Sequence, residues 1–471
     1  MENCLISVLP KNDDASSNFK TEDKILANNI LKTKFYNFFK KGQKTLEIFL
    51  IGACKANCEY CYLKKHIKEL YPLALHNQEK ILSNFSLIID WYIENEFTCP
   101  IDIFSAEWIT TPLANKIFDI LYEKFSNVEK SKLPKDIRIA DNMQFLKDEK
   151  ATADLEANID RLKSIGIDFL ISASVDGKFC DFGRTEVEDD FYNKLNLFLE
   201  KHKYYVHPMI SSNNVKFWIQ NFKWWKENFS PRVWDRIMSL EVRDNTWTDK
   251  SIQQLIQYCD FLADEKFKYF NYDKKTMLKF ILSLPTPVYG DTEDTPPVSY
   301  NVIGLPSVDT CYNNDTTCCS IGNVLVIRAA DLVVNPCHRT YYEELKLGEY
   351  EIINNKIGDF VPTNPALLAL YTNIKRSCFP HCENCKFQGV CVGHCHGASY
   401  EEYRNLLVPQ YEVCKMYRAK LTFLIYKYNI LGIWDELDNL TDQEISPMRK
   451  TYLKDLINSI LYNMEGEKPV C

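Results

Sequence analysis

Between residues 46 and 262, short apolar runs rich in β-branched side chains alternate with longer stretches whose apolar positions recur at i, i+3, i+4 and i+7. The short runs at 46–51, 101–104, 137–140, 169–173, 204–210 and 237–242 predict six strands. The longer stretches predict helices, as in Phe118, Leu121, Tyr122 and Phe125, or Ile252, Leu255, Ile256 and Cys259. Cys259 is therefore expected in the core. Phe217, Trp218, Phe222, Trp224 and Trp225 cluster at near-helical spacing and read as core rather than as a peptide groove. Alternation of strand and helix implies right-handed crossovers and a parallel sheet, curved into a barrel or left open. The fold class is thus α/β, with chemistry expected at the C-terminal ends of the strands.

Residues 285–310, rich in Pro, Thr and Asp, interrupt this pattern as a loop or linker. The cysteine-rich stretch beyond it is poor in long periodic elements, as expected where metal organises a fold. Helical spacing returns at Leu453, Leu456, Ile457 and Ile460. The expected division is an N-terminal extension over 1–45, a βα domain over 46–262, a linker over 263–310, a cysteine-rich domain over 311–420 and a helical tail over 421–471.

With 471 residues, 46% of them hydrophobic, the chain can bury a large catalytic core. No run reaches the roughly eighteen apolar residues of a membrane span, and the opening MENCLISVLPKNDD carries acids where a secretory signal carries bases. The expected location is cytoplasmic, with no membrane partner. A net charge of -8 argues against a nucleic-acid partner, and the basic run at Lys64, Lys65, His66 and Lys68 reads as a solvated helix face. Eighteen cysteines in a reducing compartment point to metal or redox chemistry rather than to disulfides.

Cys54, Cys58 and Cys61 stand as C-x3-C-x2-C directly after the first strand. Three thiolates in one loop can hold three irons of a 4Fe-4S cluster and leave the fourth open. A zinc knuckle is the competing reading, although zinc usually takes four protein ligands and this loop offers three. A second group, Cys382, Cys385, Cys391, Cys395 and Cys414, follows more than three hundred residues later, with Cys311, Cys319 and Cys337 before it. Spacing alone would also allow two four-thiolate zinc sites in that region.

The triplet, its place after strand one and the aromatic Tyr60 before its last cysteine resemble the radical S-adenosylmethionine (SAM) superfamily. The resemblance implies that the open iron chelates SAM, that reductive cleavage yields a hydrogen-abstracting 5'-deoxyadenosyl radical, and that the fold is a partial (β/α)6 barrel like a TIM barrel. It implies that Tyr60 contacts adenine. Ser105, Ala106 and Glu107 stand where the family has Gly-Gly-Glu, whose backbone and carboxylate hold the methionine amino group. Asn142 matches the Asn of Thr-Asn-Gly, while Asp141 and Met143 replace its neighbours. Ser174, Asp176 and Gly177, followed by Asp181 and Arg184, resemble the segment that contacts the ribose and methionine carboxylate. Taken singly, a Ser or Asn at a strand end is more often a turn residue or a helix cap.

The second cysteine group resembles the seven-cysteine SPASM domain of radical SAM peptide maturases, with Leu332 where a turn glycine is usual. By that resemblance one auxiliary 4Fe-4S cluster takes Cys319, Cys337 and Cys395 with Cys311 as fourth ligand, and the other takes Cys382, Cys385, Cys391 and Cys414. Cys318 or a substrate group competes with Cys311 for that fourth place. Three clusters account for eleven cysteines. His338 follows Cys337 where sulfatase-maturing relatives carry an acid proposed as a base, and it is the first candidate for catalysis. Glu241, on strand six with Arg243, is the second, with a structural ion pair as the alternative.

The expected function is a radical SAM enzyme that installs a thioether or carbon–carbon crosslink in a ribosomally made precursor peptide. The alternatives are a formylglycine-forming sulfatase maturase and a degenerate iron–sulfur scaffold or electron carrier. The expected partners are the peptide, a flavodoxin or ferredoxin-type reductant and, because only about 45 residues precede strand one, a separate leader-binding protein.

Overall fold

The structure, a computed structural model, describes residues 21–50, 54, 56–66, 77–105, 107–181, 184, 190–234, 237, 239–284, 302–305, 322–374, 379–391, 393 and 395–464. Its strands are β1 (Thr45–Phe49), β2 (Ile101–Asp102), β3 (Ile137–Asp141), β4 (Phe169–Ala173), β5 (Tyr205–Val206), β6 (Met209–Ile210), β7 (Leu240–Glu241), β8 (Val324–Arg328), β9 (Val333–Asn335), β10 (Gly348–Ile353) and β11 (Lys356–Pro362). Every strand expected between 46 and 262 is present, and the run at 204–210 is divided into β5 and β6. The α/β class read from the sequence is the class observed. The chain separates into two compact units, Met1–Ser172 with Ser320–Ile374, and Ala173–Cys319 with Lys375–Cys471.

In the first unit the strands run in the order β11-β10-β9-β8-β1-β2-β3-β4. β1, β2 and β3 are parallel, with Leu46 opposite Ile101 and Ile101 opposite Ile137. The helices Gln78–Glu94, Leu113–Phe125 and Glu149–Ser164 make the crossovers. Phe118, Leu121 and Phe125 are buried on the inward face of the second of these, so the spacing that predicted it is the spacing that packs it. Asp148 caps the third helix by accepting the backbone N–H groups of Lys150 and Ala151.

The segment 324–362 differs from the expectation of few regular elements. Its two β-hairpins extend the sheet from the other edge of β1, where β8 pairs in parallel with β1 over five positions. Val324, Leu325, Val326 and Ile327 are strongly β-branched or apolar and bury readily between strands.

In the second unit β6 and β7 form a parallel pair. Its core joins Trp218 and Phe222, Leu255 and Cys259, Leu424 and Tyr428, and Leu453, Leu456, Ile457 and Ile460. Cys259 is fully buried and its thiol is pushed up to about 12 by that burial, so it is the core residue the helical spacing implied. Among the described residues, no helix is long and apolar enough to cross a membrane.

Candidate functional site

The cysteine triplet leaves β1 through a turn in which Cys58 C=O accepts the N–H of Cys61. The Lys64 ammonium bonds the side-chain carbonyl of Asn57 and ties the loop to the 3-10 turn Tyr62–His66. Desolvation of its sulfur raises the Cys54 thiol above its ordinary value. The Glu107 carboxylate and the Cys61 sulfur act in the same direction, while backbone hydrogen bonds at Ala56 and Glu107 oppose them. Cys54 and Glu107 are therefore neighbours, although a whole βα unit separates them in sequence.

Ser105 and Glu107 are buried in the loop after β2, and Thr110 Oγ1 donates to Glu107 Oε1 at 2.9 Å. Ala106 lies outside the described residues. Asn142 accepts the Gln144 N–H through its side-chain oxygen at 3.2 Å, the behaviour of a turn residue. Asp141 before it is buried. Burial, with Glu107 adding to it and the Met143 N–H opposing, raises its carboxyl to about 7. Tyr60 is half-buried in the turn before Cys61.

His338 joins this group from the turn after β9. Its ring stacks on Phe104 at 4.4 Å and 16° and lies 5.8 Å from the ring of Tyr62, the residue next to Cys61. Nδ1 of His338 is 3.0 Å from Oε2 of Glu47 on β1. Asp102 on β2 stands opposite Glu47 in register, and Arg138 on β3 stands opposite Asp102. Three parallel strands thus carry Glu47, Asp102 and Arg138 in one row on one face. Sequence reasoning missed Glu47 and Asp102. The available signal was a single acid inside each of the apolar runs Leu-Glu-Ile-Phe and Ile-Asp-Ile-Phe. Cys337 in the same unit is buried, and its sulfur accepts the Arg339 N–H at 3.4 Å.

In the second unit Arg184 Nη1 donates to Asp176 Oδ1 at 2.6 Å, and the same oxygen accepts the Met209 N–H at 2.7 Å. Burial, with the Arg184 charge adding to it, lowers the His207 imidazole to about 4, so it is neutral there. Ser174 is half-buried just before this pair. Cys382, Cys385, Cys391 and Cys414 come together: burial first, then Cys391, Cys382 and Cys385, with Arg418 opposing, push the Cys414 thiol up to about 12. Four cysteine sulfurs are the donor set that a 4Fe-4S cluster takes. Among the described residues, no three His, Cys, Asp or Glu side chains converge on the position of a single metal ion. Cys395 begins the helix His396–Tyr403 in this unit, while Cys311 and Cys319 lie outside the described residues.

Glu241 forms an ion pair, the reading that stands beside a catalytic one in the sequence. It is buried on β7 and paired with the equally buried Lys420. Burial works against the Lys420 charge, but Glu241, helped by Tyr417 and Cys259, holds its ammonium above the ordinary value.

Among solved structures, native anSMEcpe with bound AdoMet and Cp18Cys peptide matches with a TM-score of 0.52 at 17% identity, over 82% of this chain and 99% of that one. Native anSMEcpe with bound AdoMet alone gives 0.52 at 16% identity, over 82% and 99%. This chain has the anSMEcpe fold. Streptococcus suis SuiB bound to S-adenosylmethionine gives a TM-score of 0.43 at 13% identity, over 86% of this chain and 83% of that one. No family model and no curated protein matches the sequence.

Proposed function

We propose that this chain is a radical SAM enzyme that modifies a peptide. The carrying observation is the meeting, within one compact unit, of the C-x3-C-x2-C loop, the Ser105 to Glu107 loop and His338, on a fold that anSMEcpe shows with AdoMet and a peptide bound. Cys54, Cys58 and Cys61 would hold the SAM-binding cluster, and Cys382, Cys385, Cys391 and Cys414 an auxiliary one. Cys311, Cys319, Cys337 and Cys395 would hold a second. When bound, the reduced SAM-binding cluster supplies the electron for reductive cleavage of SAM, the source of the hydrogen-abstracting radical.

The chain's own residues do the rest. Glu107, steadied by Thr110, offers an anionic oxygen beside the triplet for the SAM amino group. Tyr60, Ser105, Ala106, Asn142, Ser174 and Arg184 complete the proposed SAM contacts, with Arg184 held in place by Asp176. His338 would accept at Nε2 the proton that leaves the substrate as the new bond closes, and the electron released with it would pass to the auxiliary cluster held by Cys382, Cys385, Cys391 and Cys414. Glu241 is assigned no chemical step, because Lys420 already uses its charge.

A base at His338, where an acid stands in sulfatase-maturing relatives, favours a thioether or carbon–carbon crosslink in a ribosomal precursor over formylglycine formation. The reaction needs a low-potential reductant of the flavodoxin or ferredoxin type. The test is iron, sulfide and zinc content of anaerobically purified protein, with 5'-deoxyadenosine measured after dithionite reduction. About twelve irons per chain, by four per cluster, together with 5'-deoxyadenosine are expected. Irons without SAM cleavage would move the assignment to an electron carrier, and two zincs without iron would overturn it.

A further inference from the structure

We infer that Glu47 is a positioning residue for His338, holding the imidazole as the Nδ1–H tautomer in one orientation so that Nε2 is the proton-accepting nitrogen. The inference rests on the reading above, in which His338 serves the reaction. Glu47 sits in the middle of β1 among the buried Leu46, Ile48 and Phe49, and is itself 2% exposed. A charge buried in such a strand is costly unless it is compensated. Among the described residues its one hydrogen-bond partner is His338, at 3.0 Å from Oε2, while Oε1 is buried without a hydrogen bond.

The tautomer follows from donor and acceptor counting. A carboxylate has no proton to give, so Nδ1 carries the hydrogen of this bond. A neutral imidazole carries one ring hydrogen, which leaves the lone pair on Nε2. The ring plane is fixed separately, by Phe104 stacked at 4.4 Å on the aromatic side shared with Tyr62.

Asp102 faces Glu47 across β1 and β2 and is half-buried there. Burial and then the Glu47 charge raise Asp102 to about 7, with His338 and Arg138 opposing. Arg138 does not compete for Glu47, because its guanidinium is bonded to Asp136. The Arg339 guanidinium lies over the Tyr62 ring at 5.3 Å.

The experiment is two-bond proton–nitrogen correlation NMR on the full chain labelled with 15N-histidine, with His338 assigned by its loss in His338→Gln. The wild type is expected to show Nδ1 protonated and Nε2 bare. Glu47→Leu should move His338 toward the Nε2–H form, and Glu47→Asp should restore part of the wild-type signal. With a peptide substrate, Glu47→Leu should lower product by about a hundredfold, within the range of acid–base contributions, while 5'-deoxyadenosine continues to form. A wild-type Nε2–H tautomer overturns the inference without any variant, as does an unchanged tautomer or product yield in Glu47→Leu. Failure of the wild type to form any 5'-deoxyadenosine would instead overturn the functional reading on which the inference rests.

Discussion

Glu241 on β7 and Lys420 on the helix Tyr411–Ile430 form an ion pair in which the carboxylate is 5% and the ammonium 6% exposed. The Lys420 ammonium also lies over the Tyr417 ring, 5.1 Å from its centre. Removing one partner of such a pair leaves an uncompensated buried charge. Lys420→Met should therefore destabilise the protein by about 3–5 kcal/mol in urea unfolding. The double variant Glu241→Leu with Lys420→Met should recover most of that loss and retain product formation. Product abolished by Glu241→Gln at unchanged stability would show instead that Glu241 acts in the reaction.

The two cysteine groups should separate by function. Cys414→Ser is expected to lower iron by about four per chain and to leave SAM cleavage by dithionite in place. Cys54→Ala should lower iron by a similar amount and abolish 5'-deoxyadenosine. Equal loss of SAM cleavage in both would contradict the division of ligands.

Asp141 predicts a pH dependence with a definite sign. Its folded carboxyl is raised to about 7, above an ordinary value near 4 in the unfolded chain. Between those values the folded state binds the extra proton, so stability falls as pH rises from about 4 to about 7 and then levels off. The full penalty is on the order of 4 kcal/mol. Asp141→Asn keeps an acceptor for the Met143 N–H and should be more stable than wild type at pH 8, with the difference vanishing near pH 4. Parallel melting curves at the two pH values would measure it.

Gly177 follows Asp176 at φ +95, and a Cβ there would meet Trp225 Nε1 at 2.5 Å and the Asn221 side chain at 2.7 Å. Asn221 in turn donates to the Asp176 carbonyl at 2.7 Å. Gly177→Ala should cost about 2 kcal/mol or more through backbone strain and displaced neighbours. SAM affinity should fall with it, read by equilibrium binding, because the Asp176 and Arg184 pair hangs on the same turn.

Much of the first domain was legible in the chain because its signals are local. Apolar runs such as 169–173 become strands whose alternate residues, here Phe169, Ile171 and Ala173, bury on one face, and the spacing of Phe118, Leu121 and Phe125 defines a helix face without knowledge of its partner. The β8 to β11 hairpins were hidden beneath the cysteine pattern, although Val324 to Ile327 and Val333 and Val334 are good strand residues. Their value depends on β1, far away in sequence, which offers them an edge. Glu47 and Asp102 were illegible for a related reason. One acid in an apolar run looks like ordinary alternation until the register sets two of them side by side.

The sequence by itself determined the donor chemistry: which loops carry thiols, at what spacing, and after which strand. Tertiary structure alone decided which groups meet. It brought His338 to Glu47 across 291 residues, set Glu107 beside Cys54, and paired Glu241 with Lys420. Spacing along a chain is a covalent property and can be read directly. Proximity between distant residues is set by strand register and by burial, where a charge is tolerated only beside its complement.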